Sequence, residues 1–125
     1  MSAIALELAD GKTRYRPGEW VEGVAFWDLS SAPQSIEVRL YWRTQGKGTV
    51  DLEIVRNVKF TQVGLQDRRP FRLQLPPAPY SFSGKLISLV WGAELVAEPQ
   101  GESANIEIVL SPTGDEVRLD RTPAS

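Results

Sequence analysis

The chain has 125 residues and a formal net charge of −2, and it contains neither cysteine nor histidine. This composition excludes disulfides, metal sites built from thiolate or histidine ligands, and catalysis by a histidine base. The length predicts a single domain, and the absence of a basic excess argues against a general nucleic-acid binder.

The first part of the chain predicts two strands separated by turns. Ile4, Leu6 and Leu8 alternate with small or charged residues, which is the period of a strand with one buried face. Turn residues occupy positions 10–11 and 17–18, where glycine accepts a positive φ. Residues 20–27 form a second strand with apolar side chains on both faces, and Gly23 within it indicates a bulge or a close backbone approach.

Two further strands are predicted to form a hairpin. Residues 35–43 alternate regularly, with apolar side chains at the even positions from 36 to 42. Glycines at positions 46 and 48 mark the hairpin turn. In residues 50–60, Arg56 falls on the apolar parity, so we predict a kink or bulge around positions 55–57.

The remaining strands surround a proline-rich connector. Residues 71–75 alternate, residues 76–84 form the connector, and strands follow after Gly84 and at 106–110. Seven strands without a helical period predict an all-β protein, an immunoglobulin-like antiparallel β-sandwich. The residues expected to be buried are Ile36, Val38, Leu40, Trp42, Phe71, Leu73, Ile87, Leu89, Trp91, Ile106 and Ile108.

Two segments resemble the arrestin-like family. Residues 15–23 are similar to its Tyr-x-Pro-Gly-Glu-x-Val-x-Gly signature, and residues 71–84 are similar to its Phe-x-Leu-Pro…Pro-Ser-Phe-x-Gly segment. The order and separation of the two segments also fit, so the resemblance extends from about Ile4 to Leu110. It implies an arrestin-like sandwich used for protein–protein interaction, as in arrestins, the arrestin-like subunit of retromer and bacterial sporulation-control proteins.

The chain departs from that family in its size. The relatives carry two sandwiches in tandem, whereas this sequence accounts for one, predicted at residues 1–111. Residues 112–125 contain two prolines and mixed charge, so we expect an extended or mobile C-terminal tail. Neither a charged network between two lobes nor the phosphate-sensing lysines of receptor-binding arrestins is carried over to this chain.

No sequence motif indicates a reaction or a cofactor. We expect a non-enzymatic, adaptor- or scaffold-like module with no catalytic, cofactor or metal residues, which binds by strand addition at a sheet edge. The rival classes are a carbohydrate-binding module, suggested by the four tryptophans, and an enzyme of unrecognised type. A row of exposed aromatic rings would favour the first, and a deep pocket with perturbed carboxylates would favour the second.

The interface predicted from the sequence consists of Trp20, Val24, Phe26, Leu86 and Val90. These residues lie in two strands that carry apolar groups on both faces, although a strand with one face in water needs only one apolar face. We expect another protein or a second copy, in a homodimer, to cover them. The alternative is that a loop or the C-terminal tail folds over this face.

The termini and the hydropathy pattern bear on location. Glu7 comes too early for the apolar core of a signal peptide. No apolar run approaches the roughly 18 residues of a spanning helix. We therefore expect a cytoplasmic protein with no membrane span and no nucleic-acid partner.

Overall fold

The computed structural model describes residues 2–46, 50–84 and 86–113, and the backbone of residues 117 and 118. This described part has no α-helix, and its single 3₁₀ turn is Ala9–Gly11. Its strands are β1 (Ala3–Leu8), β2 (Arg14–Tyr15), β3 (Trp20–Asp28), β4 (Ser35–Gly46), β5 (Leu52–Phe60), β6 (Gln66–Gln74), β7 (Phe82–Ser83), β8 (Ile87–Glu98), β9 (Glu102–Leu110) and β10 (Val117–Arg118). The seven longer strands correspond to the seven predicted ones, and β2, β7 and β10 are two-residue additions. The prediction of a polar loop at residues 66–70 is wrong, because these residues form the first part of β6, and β9 begins four residues before the predicted start.

The strands form two sheets that pack into a sandwich. The smaller sheet has the order β1-β3-β6. The larger sheet has the order β10-β7-β8-β4-β5, with β9 beside β8 and β2 beside β9. All the longer strands pair antiparallel, and only the short pairs β2–β9 and β7–β10 are parallel among the described residues. The prediction of an all-β antiparallel sandwich is confirmed. The predicted tail at 112–125 lies mostly outside the described residues.

The core lies between the two sheets, where the inward positions of every long strand meet. Eight of the predicted core residues are buried, and Trp42 and Ile106 are half-buried side chains packed against that core. The prediction for Ile87 is wrong, because its side chain is 41% exposed. Ile87 pairs with Gly46 at the end of the β4–β8 ladder, and a glycine supplies no side chain to cover it.

The turn at positions 16–19 explains the first family-like segment in physical terms. Gly18 adopts a φ of 80°, which favours glycine over other residues. The Glu19 amide donates to the Arg16 carbonyl at 3.1 Å, and the Arg16 amide donates to the Glu19 carboxylate at 2.7 Å. A hydrogen bond from Lys12, followed by the one from Arg16, lowers the pKa of Glu19. Glu19 therefore closes this turn.

The proline-rich connector is fastened to the core by hydrogen bonds at two positions. The Trp91 indole Nε1 donates to the Pro79 carbonyl at 2.7 Å. The Ser81 amide donates to the Leu110 carbonyl at 2.8 Å, and the Leu110 amide donates to the Ser81 hydroxyl at 3.0 Å. These bonds hold the connector between β6 and β7 against strands of the larger sheet.

Candidate interaction surface

The outer face of the smaller sheet carries three of the predicted interface residues. β3 buries alternate side chains in the core, from Val21 to Trp27, so the residues between them face outward. Trp20, Val24 and Phe26, which we call the outer strip, lie on that outward face. The Trp20 side chain is 44% exposed, and Val24 and Phe26 are half-buried.

Charged side chains from β1 and β6 flank the outer strip. The β3–β6 register places Arg72 opposite Glu22, and the Arg72 Nε lies 3.0 Å from the Glu22 carboxylate. The same guanidinium lies 4.1 Å from the centre of the Trp20 ring, within the range of a cation–π contact. Arg68 and Glu7 form a longer pair at 3.7 Å. The Glu22–Arg72 pair therefore lies between Trp20 and Val24, and the Arg68–Glu7 pair lies beside Phe26.

A groove of about 660 Å³ opens beside the outer strip, next to Gly23. β1 ends at Leu8, which pairs with Gly23. The residues of β3 before Gly23 therefore have no β1 residue beside them. The groove is lined by Glu22, Val24 and Arg72 and reaches Phe71.

The other two predicted interface residues lie elsewhere. Val90 pairs with Arg43 in the larger sheet and is buried outside the core cluster, on the outer face of that sheet. Leu86 immediately precedes β8, and its side chain is 72% exposed. The outer faces of the two sheets point in opposite directions in a sandwich. The five residues therefore do not form one continuous surface.

A second candidate surface is the free edge of β5. In the sequence, the only sign of its irregularity is Arg56, which stands at a position where the alternation requires an apolar residue. The register pairs Leu40 with Arg56 and Tyr41 with Ile54, so Val55 is the extra residue of a β-bulge. This confirms the predicted bulge. The bulge reverses the facing of the preceding residues, which turns Leu52 and Ile54 to the outer face, where they are 62% and 47% exposed.

The edge of β6 differs from that of β5 because it contains a proline. Leu75 donates its amide to the Glu19 carbonyl at 2.9 Å, and the β3–β6 register continues from this pair. Hydrogen bonding alternates along antiparallel strands, so Pro70 lies at a position that faces the free edge. Proline has no N–H to offer an added strand. The β6 edge is therefore a poorer acceptor of a strand than the β5 edge.

Comparison with known proteins bears on the fold. No model of a known protein family matches the chain, and no curated protein matches it. Among solved structures, 57 chains match. One is the crystal structure of Spo0M, a sporulation control protein from Bacillus subtilis, with a TM-score of 0.58 and 21% sequence identity. The match covers 87% of this chain and 49% of that one, so this chain spans about half the length of Spo0M.

The chain has an arrestin-like fold. The resemblance carried by residues 15–23 and 71–84 is thereby confirmed for the architecture, and both segments lie in the sandwich as a turn and a connector. The four tryptophans of this arrestin-like sandwich are distributed through it. Trp27 and Trp91 are fully buried and Trp42 is half-buried. The exposed aromatic residues of the described part are Trp20 and Tyr80, on separate elements, so they do not make the row that the carbohydrate-binding alternative requires.

The described residues contain no group of three or more metal-ligating side chains. Within the described ranges, no helix is long and apolar enough to cross a membrane.

The outer face of the larger sheet carries a buried carboxylate that sequence reasoning did not single out. Glu37 accepts hydrogen bonds from Asn57 at 2.6 Å and from Arg39 at 2.8 Å. Burial alone would raise the pKa of Glu37, but these bonds outweigh it and the pKa is lowered. Beside this group, Tyr41 donates its hydroxyl to Asn105 at 2.7 Å. The network stabilises the ionised form of Glu37 between neighbouring strands. A catalytic general acid would instead need a raised pKa.

Glu37→Gln should lower the free energy of unfolding at neutral pH by about 1.5 kcal/mol, because a charge-assisted hydrogen bond to Arg39 is lost. The folded-state pKa of Glu37 is lowered, so its contribution is present above the ordinary glutamate range and is lost as pH falls through the folded pKa. The difference between the variant and the parent should therefore vanish in acid. Urea titrations at several pH values measure it, with the exposed Glu107→Gln as control. A difference that grows in acid would contradict the assignment.

Proposed function

We propose that this arrestin-like sandwich is a non-enzymatic, adaptor- or scaffold-like module that binds another polypeptide. The observation that carries the proposal is the exposed Trp20 ring, stacked against Arg72 beside the groove at Gly23. Tryptophan and arginine are the residue types enriched at the energetic centres of protein interfaces. The similarity to Spo0M, a sporulation control protein, is consistent with a binding role.

The outer strip fits a partner that presents an apolar side chain flanked by charge. Val24 and Phe26 form a second apolar part of the same face of β3, beyond Glu22. Arg72 and Glu22 already neutralise one another at 3.0 Å, so a partner would bury them as a pair and not as isolated charges. The chain lacks cysteine, which suits a reducing compartment, and we place the module in the cytoplasm.

Strand addition at a sheet edge is the second mode of binding that we propose. An added strand needs outward-facing backbone groups, and the β5 edge offers these while Pro70 interrupts them on β6. The two modes use different strands, β3 with the outer strip and β5 with the free edge. Substitutions in one strand or the other therefore separate them.

A displayed library of random peptides, selected on the purified protein, tests the proposal. We expect peptides whose binding weakens at least about tenfold in Trp20→Ala, because an aromatic anchor at an interface is worth that much or more. The matched control is Leu52→Lys, an exposed residue of β5, which should leave that binding unchanged. Peptides that respond to Leu52→Lys alone bind at the edge instead. A library that yields no saturable binder, or binders insensitive to both substitutions, would contradict the proposal.

A further inference from the structure

We propose that two copies of this chain associate by pairing their β5 edges antiparallel about a two-fold axis, which joins their larger sheets. This inference rests on the proposed role of the sandwich as an interaction module and names a second copy as the occupant of the β5 edge.

The backbone of β5 is oriented for pairing on its free side. The Thr44 amide donates to the Asp51 carbonyl at 2.9 Å, so Asp51 directs its backbone toward β4. Backbone groups alternate in direction along an antiparallel strand. Leu52 and Ile54 therefore direct their N–H and C=O groups away from β4, where no strand of the described chain pairs with them. β5 also contains no proline.

The side chains at these same positions supply apolar surface to be covered. Leu52 and Ile54 lie on the outer face because of the bulge at Val55, and roughly half or more of each side chain is exposed. Exposed edge strands are usually protected by proline, charge, a β-bulge or a covering element. β5 has charged residues and the bulge, but it has no proline, and no strand of the described chain covers it. Here the exposed apolar residues coincide with the outward backbone groups, so covering them and pairing the edge happen together.

The charge pattern of β5 indicates a second copy as the occupant. The acidic residues Asp51 and Glu53 precede the bulge at Val55, and the basic residues Arg56 and Lys59 follow it. Antiparallel pairing about a two-fold axis sets the acidic residues of one copy against the basic residues of the other. Within the described residues, neither Glu53 nor Arg56 forms a salt bridge, so both are available for this pairing. Parallel pairing would oppose like charges.

Light scattering on the full chain over a range of protein concentrations tests the assembly, and reversed charges test its geometry. Glu53→Arg sets like charges against Arg56 of a second copy, and Arg56→Glu sets like charges against Glu53. Each variant alone should dimerise at least about tenfold more weakly than the parent. An equimolar mixture of the two should form a heterodimer of near-parental affinity. Both positions are exposed, so both variants should fold.

Amide hydrogen exchange provides an independent measurement of the same contact. Exchange at Leu52 and Ile54 should slow as the protein concentration rises, because their N–H groups become paired. A parent protein that stays monomeric overturns the inference, as does a dimer unaffected by the charge reversals with rapid exchange at these amides. A monomer that still binds library peptides would overturn this inference and leave the proposed function standing. A β5-paired dimer that binds no peptide would overturn the proposed function and leave this inference standing.

Discussion

Trp91→Ala is expected to lower the free energy of unfolding by about 3–5 kcal/mol, the range for truncating a buried large aromatic residue. The Trp91 ring is fully buried between the sheets and belongs to the central strand β8. Its removal would leave a cavity in close-packed surroundings that can relax only in part. It would also leave the Pro79 carbonyl without the indole donor that lies 2.7 Å away.

Urea unfolding followed by far-ultraviolet circular dichroism measures this loss, and Trp20→Ala is the matched control. Trp20 is the same residue type, but it lies on the outer strip with 44% of its side chain exposed. Its truncation should cost less than about 1 kcal/mol, as for most surface substitutions. Equal losses in the two variants would show that the assignment of inner and outer faces is wrong.

Gly23→Ala should cost about 3 kcal/mol, the upper end of the usual range for overfilled sites. A Cβ atom at Gly23 would lie 2.1 Å from the Glu7 carbonyl oxygen and 2.9 Å from the Phe71 ring. The ring could move, but the carbonyl is part of the β1–β3 ladder, which would have to shift with it. The close backbone approach predicted from the sequence is therefore the reason for this glycine.

Gly64→Ala is the control for the loss of glycine itself, since a Cβ atom there meets nothing within 4 Å. Thermal and urea unfolding of both variants should show a large loss for Gly23→Ala and a change within about 0.5 kcal/mol for Gly64→Ala. If Gly23→Ala unfolds like the parent, β1 and β3 are not as close as the structure places them.

The outer strip and the β5 edge differ in how far the sequence could predict them. Trp20, Val24 and Phe26 follow from alternation, since a strand with apolar residues on both parities must place one set outside the core. Leu52 and Ile54 follow the apolar parity of β5 and would be assigned to the core by alternation alone. Only the register shift opposite Tyr41 turns them outward.

The sequence by itself determined the local features of this protein. Alternation located the seven long strands but not the start of β6 at Gln66. Proline and glycine located the turn at Pro17–Gly18, and Arg56 on the apolar parity located the bulge. Each of these depends on residues adjacent in the chain, whose backbone preferences act over a few positions.

Tertiary structure decided which strands lie side by side, and therefore what covers each face. Alternation distinguishes the two faces of a strand but does not show which element packs on each face. Val90 and the outer strip were therefore predicted as one interface, although they lie on the outer faces of different sheets. The exposure of Ile87 depends on Gly46, 41 positions earlier in the chain, and the lowered pKa of Glu37 depends on Asn57 in the next strand. These contacts form only when the strand order is set, because they join residues that the chain itself keeps far apart.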